Sequence, residues 1–348
     1  MLDRYLDDLE QRIDLDVEAE LEAQWRAFLE GEYSGAIFAP RRPRLAPPTV
    51  AWPDVLVNDA LDSPEQMVLQ QLGACSVALA EGTGAILNVR SNYGTGIMPS
   101  LFGAEVFVME RSLDTLPTTR PLSNPLAAVQ RLVERGVPDQ WQSLGAQALE
   151  MGRYYRDLFR AYPKIACVVH IYHPDMQGPM DICELLWGSS LFLAILDEPD
   201  LVKALLELVT ATYIRYMQDW DASVPLERDY SAHWGLLMKG TIMLRDDSAM
   251  NLSPDTFCEF IEPYNQRLLD RFGGGATHYC GRGDHWIHRV PEMRGVYGVN
   301  LSQPELNDME TVLKHTVDRG IVLLGLQHDA ADAALQAGRD LHGHVHCW

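Results

Sequence analysis

Gly273-Gly274-Gly275-Ala276-Thr277-His278-Tyr279-Cys280-Gly281 is a short apolar run that opens on three glycines and closes on polar groups. Read as a strand, it sends alternate side chains to opposite faces, so His278 and Cys280 project the same way. Ser253-Pro254 caps a helix that runs to Phe272 just before it, and helix 284–293 and strand Val296–Leu301 follow it. Reading outward extends the pattern. Strands are expected at Ala85–Val89, Val106–Met109, Ile165–Ile171, Thr241–Leu244, Ile321–Leu326 and 342–347. Helices are expected between them, near 63–80, 125–136, 141–161, 180–187, 199–220, 306–318 and 330–338. Only Tyr230–Lys239 gives no clear period.

Such alternation implies a parallel sheet with helical crossovers. Polar residues collect at the C-terminal ends of the strands: Arg90, His173, Asp246, His278 and Gln327. A (β/α)8 barrel places its site there. An open doubly wound sheet competes, but no Gly-x-Gly-x-x-Gly turn opens the first unit. The expected fold is α/β, a (β/α)8 TIM barrel over 63–348 with an N-terminal helical extension over 1–62.

Composition narrows the function classes. The 348 residues are 47% hydrophobic and 22% charged, which is globular and enough for a large core. The formal net charge of −21 repels phosphate backbones and argues against nucleic acid as a partner. No apolar run reaches the length of a membrane span, and the charged N-terminus is unlike a signal peptide. Six cysteines without paired spacing read as reduced thiols in a cytoplasmic protein. Leu2, Leu6, Leu9, Ile13 and Val17 give the first 30 residues an apolar helical face, expected to pack on the chain's own barrel, with pairing in a homodimer as the alternative. The segment around Arg41, Arg42 and Arg44 is proline-rich and expected to be an extended loop.

The candidate chemistry starts from His278 and Cys280, a pair that suits two ligands of a zinc site or the polar wall of a pocket. In the terminal stretch Leu341-His342-Gly343-His344-Val345-His346-Cys347-Trp348, a strand would place His342, His344 and His346 on one face and Cys347 on the other. Either His346 or Cys347 then points inward. Arg245-Asp246-Asp247 offers a carboxylate at the mouth, with one aspartate facing the pocket and the other bonding the loop. Arg90, Asn92 and Tyr93, with the loop Gly94-Thr95-Gly96, supply further polar groups there, and His173 is read equally as a ligand or a loop-stabilising side chain.

These motifs together resemble the uroporphyrinogen decarboxylase-like superfamily, which also contains zinc-dependent methyltransferases that demethylate corrinoid proteins. The resemblance rests on Asn92-Tyr93-Gly94 with Ser100-Leu101-Phe102-Gly103, Asp197-Glu198-Pro199, Asp246-Asp247 with Ser253-Pro254 and Phe257, and His278-x-Cys280-Gly281. It implies a (β/α)8 barrel and two competing activities. The porphyrinogen decarboxylases work without a metal, through an Arg-Gln-x-Gly-Arg-Tyr motif that this chain lacks; Gly152-Arg153-Tyr154 is a chance echo inside a helix. The methyltransferase branch implies zinc held by His278, Cys280 and Cys347, with His346 as the substitute third ligand. It also implies Asp246, Tyr93 and His278 as catalytic groups and Arg90, Asn92, Tyr93, His173, Asp247 and Gln327 as contacts to a small-molecule substrate. The methyl group would come from a corrinoid on a partner protein. A metal-free lyase using Asp246, Tyr93 and His278, and a barrel without catalysis, are the remaining readings.

Overall fold

A computed structural model describes residues 2–348, and strands are its sparser component. In chain order they are β1 (Ile37–Phe38), β2 (Asn88–Val89), β3 (Glu105–Phe107), β4 (Thr118–Arg120), β5 (His170–Ile171), β6 (Tyr230–His233), β7 (Leu236–Lys239), β8 (Ile242–Arg245), β9 (Gly275–Tyr279), β10 (Val296–Leu301), β11 (Val322–Leu326) and β12 (Val345–Cys347). Six of them form one parallel sheet in the order β1-β12-β11-β10-β9-β8. β2 and β5 make a separate parallel pair. The result is a mixed α/β fold compatible with a barrel-like arrangement. Among the described residues, no single helix is long and apolar enough to cross a membrane.

The large sheet separates two apolar clusters. Ile242, Leu244, Val299, Leu323 and Val345 join the cluster that contains Phe257, Leu268 and Val312 from the helices Pro254–Phe260, Glu262–Phe272 and Met309–His315. Met243, Ala276, Val322 and Leu324, the alternate positions, join a second cluster on the inner face. That cluster is filled by chain rather than by side chains alone. The antiparallel β6–β7 hairpin brings Leu236, Leu237 and Met238 into it, and the helix Leu15–Leu29 adds Leu21, Trp25 and Phe28. Burial on both faces explains why Tyr230–Lys239 carries no readable period. At the hairpin base, Lys239 Nζ binds both Glu30 oxygens at 2.8 and 2.9 Å. Gly240 follows at φ +85°, where a Cβ would stand 2.4 Å from the Gly274 carbonyl carbon.

Side chains join the two sheets where ladder bonds stop. His173 donates from Nδ1 to the Pro174 carbonyl and accepts the Met243 N–H at Nε2, so it bridges β5 to β8. Burial pushes this imidazole down to about 4, which keeps it neutral and fit for both bonds. On the opposite side, Arg42 is buried against Glu18 at 2.6 and 2.7 Å and donates to the carbonyls of Thr83 and Ala85. The proline-rich segment is thus a strap between the second helix and the entry to β2.

Several expectations change. The N-terminal stretch is two helices, Asp3–Arg12 and Leu15–Leu29, because Asp14 caps the second by accepting from the Asp16 and Val17 N–H groups. Leu6, Leu9 and Ile13 are buried in the chain's own core. The expected strand over Val106–Met109 is half of an antiparallel hairpin, β3 with β4, outside the parallel set. Ile165–Ile171 is mostly the helix Pro163–Val168, started by its proline, which leaves β5 only two residues. Residues 284–293 form a 3-10 turn, Ile287–Glu292. At the C-terminal end, His342 (φ +51°) and Gly343 (φ +70°) make a turn, so β12 carries His346 alone of the three histidines.

Candidate metal centre

β8, β9 and β10 run in register, and their C-terminal ends assemble the site. Arg245 pairs with His278, and His278 pairs with Asn300, so three inward side chains stand in a row. Asp247, two residues beyond Arg245, stays on that side. It comes within 3.7 Å of His278 Nε2 and accepts the Cys280 N–H at 2.7 Å. Cys280 Sγ lies 3.4 Å from the same Nε2. One ligand atom from each of Asp247, His278 and Cys280 falls within 4.8 Å of the others.

The imidazole is oriented for this. Asn300 donates its Nδ2 to the Leu324 carbonyl at 2.6 Å, which turns Oδ1 toward His278. Oδ1 sits 2.6 Å from Nδ1 and accepts its proton. The remaining nitrogen, Nε2, therefore carries a lone pair aimed at Cys280 and Asp247, the outer-shell arrangement of a metal-ligating histidine. Burial lowers the His278 pKa and raises that of Cys280, so without a cation both are held neutral. A nitrogen, a sulfur and a carboxylate oxygen form a set that suits zinc. Asn307 and Gln303 brace the loop behind Cys280: Asn307 Oδ1 accepts from the Gly283 and Asp284 N–H groups, and Gln303 Oε1 from Gly281.

The structure does not bring Cys347 into this group. β12 turns Cys347 to the helix-covered face, where it is buried and pushed up to about 12, with Asp332 the charge felt there. His346 takes the inward position but accepts the Gly325 N–H at Nδ1 and packs 4.4 Å from Trp25, neutral and held down to about 3 by burial. Asp246 and Asp247 exchange the expected roles for the same alternation. Asp246 points behind the sheet, accepting from Asn265 and Thr277, and burial raises it to about 6. Tyr93 is buried in the core and pushed up to about 12 by that burial. Asn92 donates to Gln70 instead of facing the mouth. Gln327 is exposed on the rim and reaches the Ser302 carbonyl at 3.3 Å.

Arg90 belongs to a second network beside the first. It pairs with Asp175, which also binds Arg245 at 2.5 Å and accepts the Trp234 indole N–H at 3.1 Å. Arg245 in turn contacts His233 Nε2 at 2.9 Å and donates to the Met176 carbonyl. Behind Asp247, buried Asp181 accepts the N–H groups of Asp247 and Ser248 and so shapes the turn that presents the ligand. Burial first, and the neighbouring Asp247 and Asp246 next, raise its pKa well above the usual range. Asn300, Asp175, Trp234 and Asp181 belong to no motif read from the sequence, and Arg245 enters one only as the neighbour of the two aspartates. Asn300 and Arg245 follow only from extending the inward face across neighbouring strands.

The fold resembles that of a methyltransferase. One solved structure of similar fold is a methyltransferase from Methanosarcina mazei, 16% identical, with a TM-score of 0.62 over 94% of this chain and 92% of that one. At that identity the likeness is one of fold. No family model matches the sequence, and no curated protein matches it.

Proposed function

We propose that the six-stranded sheet and the β2–β5 pair make one (β/α)8 barrel, and that its mouth is the active site of a zinc-dependent methyltransferase. In this reading it moves a methyl group between a corrinoid carried by a partner protein and a small thiol acceptor. The observation that carries the proposal is the one-sided His278: its Nδ1–H donates to Asn300 Oδ1, and Nε2 faces Cys280 and Asp247. The likeness of fold to a methyltransferase and the His278-x-Cys280-Gly281 motif support it.

Asp247, His278 and Cys280 would hold the metal, with Asp247 in the place that Cys347 was expected to take. Zinc with three protein ligands keeps a further position for a substrate and holds a bound thiol as thiolate near neutral pH. The chain's own residues prepare that site. Asn300 fixes the imidazole, Asp181 fixes the turn bearing Asp247, and the Gln303 and Asn307 amides fix the turn after Cys280.

The metal-free decarboxylase reading finds less support. Its acid-base candidate Asp246 lies behind the sheet, and Arg90 and Arg245, at the C-terminal ends of β2 and β8, are both engaged by Asp175. Elemental analysis of protein purified without chelator tests the proposal. About one zinc per chain is expected, lost in Cys280→Ala and His278→Ala. Metal-free protein with methyl-transfer activity would overturn it.

A further inference from the structure

We propose that Trp234, at the tip of the β6–β7 hairpin, is a positioning residue for the metal ligand His278. The inference rests on the metal-centre reading above. The tip breaks its own local rule. Trp234 and Gly235 have φ of +52° and +79°, the signature of a hairpin turn that favours Asn-Gly. A bulky aromatic in the left-handed region persists only where its surroundings impose it, and such residues concentrate at functional sites.

The surroundings here are specific. The Arg245 guanidinium lies over the indole at 4.6 Å from the ring centre, and the indole N–H donates to Asp175 Oδ2 at 3.1 Å. Asp175 is itself held by Arg90 and Arg245. So clamped, the indole meets the His278 ring edge-on, 5.0 Å between centres and 79° between planes. Asn300 fixes the imidazole by hydrogen bonding, and Trp234 packs directly against the ring. The indole also lines a cleft of about 300 Å³ with Arg90, Tyr172 and Asn88. A molecule entering that cleft would touch the group that sets the histidine.

The test titrates full-length, metal-stripped protein with Co2+ and follows the thiolate-to-metal and d–d absorption bands. Trp234→Asn suits the turn, so a loss of binding in it is not a loss of turn geometry. It is expected to bind Co2+ about tenfold more weakly, with altered d–d bands, as outer-shell changes at metal sites do. Trp234→Phe, which keeps a ring against His278, is expected to retain most of the affinity and the band shape. Trp234→Leu, apolar without a ring, is expected to behave like the asparagine variant and serves if that one fails to fold. Wild-type affinity and spectrum in both Trp234→Asn and Trp234→Leu would overturn the role of Trp234 alone. A wild-type chain that takes up no Co2+ would overturn the metal centre and this inference with it.

Discussion

Asn300 Oδ1 stands 2.6 Å from His278 Nδ1, across adjacent strands in direct register. The amide cannot rotate away, because its Nδ2 is bound to the Leu324 carbonyl. Replacing it with alanine frees the imidazole to rotate and removes the acceptor that selects its tautomer. Asn300→Ala is expected to lower zinc affinity about 10- to 100-fold, measured by competition with a chromophoric chelator. Unchanged affinity would show that something else orients His278.

Cys347 and Asp247 make opposite predictions about the third ligand. Cys347→Ala is expected to keep its zinc and to cost about 1 kcal/mol of stability through lost packing. Asp247→Ala is expected to lose metal while the fold persists. Elemental analysis beside urea unfolding reads both, and metal loss in the Cys347 variant would restore the terminal cysteine to the site.

Acid stability has a local source in Asp8. Burial alone would raise its carboxyl, but bonds from Thr49, Trp52 and Arg12 outweigh it and hold it at about 2, against an ordinary value of 3.8. A folded-state pKa below the unfolded one stabilises at pH above the unfolded value. That contribution, about 2 kcal/mol, is lost as pH falls from about 4 through 2. Urea unfolding against pH is expected to show this loss in the wild type, and Asp8→Asn is expected to flatten it. A parallel decline in both proteins would place the acid sensitivity elsewhere.

Arg42 closes the strap from the second helix to β2. Arg42→Met would leave Glu18 buried without its partner and two carbonyls without a donor. The expected cost is about 3–5 kcal/mol, read as a lower urea midpoint. A loss under about 1 kcal/mol, the worth of an exposed pair, would mean that water reaches the glutamate.

Strand alternation accounts for what could be read from the residues and for what was missed. It brings His278, in β9, and Cys280, one residue past the end of that strand, to the same side, since the strand is regular and is flanked by glycines. The same rule, carried through β8, places Arg245 and Asp247 inward and Asp246 outward, and through β12 places His346 inward and Cys347 outward. Choosing between such neighbours needs the register of the adjacent strand, which sequence spacing does not contain. The β6–β7 hairpin was illegible for another reason. Its turn is Trp-Gly rather than Asn-Gly, and both its faces are buried, so neither turn chemistry nor period 2 announces it. Arg90 and His173 lie just past the ends of β2 and β5, and partner residues far along the chain, Asp175 and Met243, decide what they do.

The pairing of β1 with β12 has a consequence in time. Ile37 and Val345 meet although roughly 300 residues separate them, so this contact is among the most non-local in the chain. Until it forms, Trp25, Phe28 and Phe38 have no His346 to pack against and present an aromatic surface to water. The aromatic layer around Trp25, Phe28 and Phe38 is therefore completed only after the chain as far as His346 has been made, which leaves it exposed to misassembly for longer than any contact between neighbouring elements.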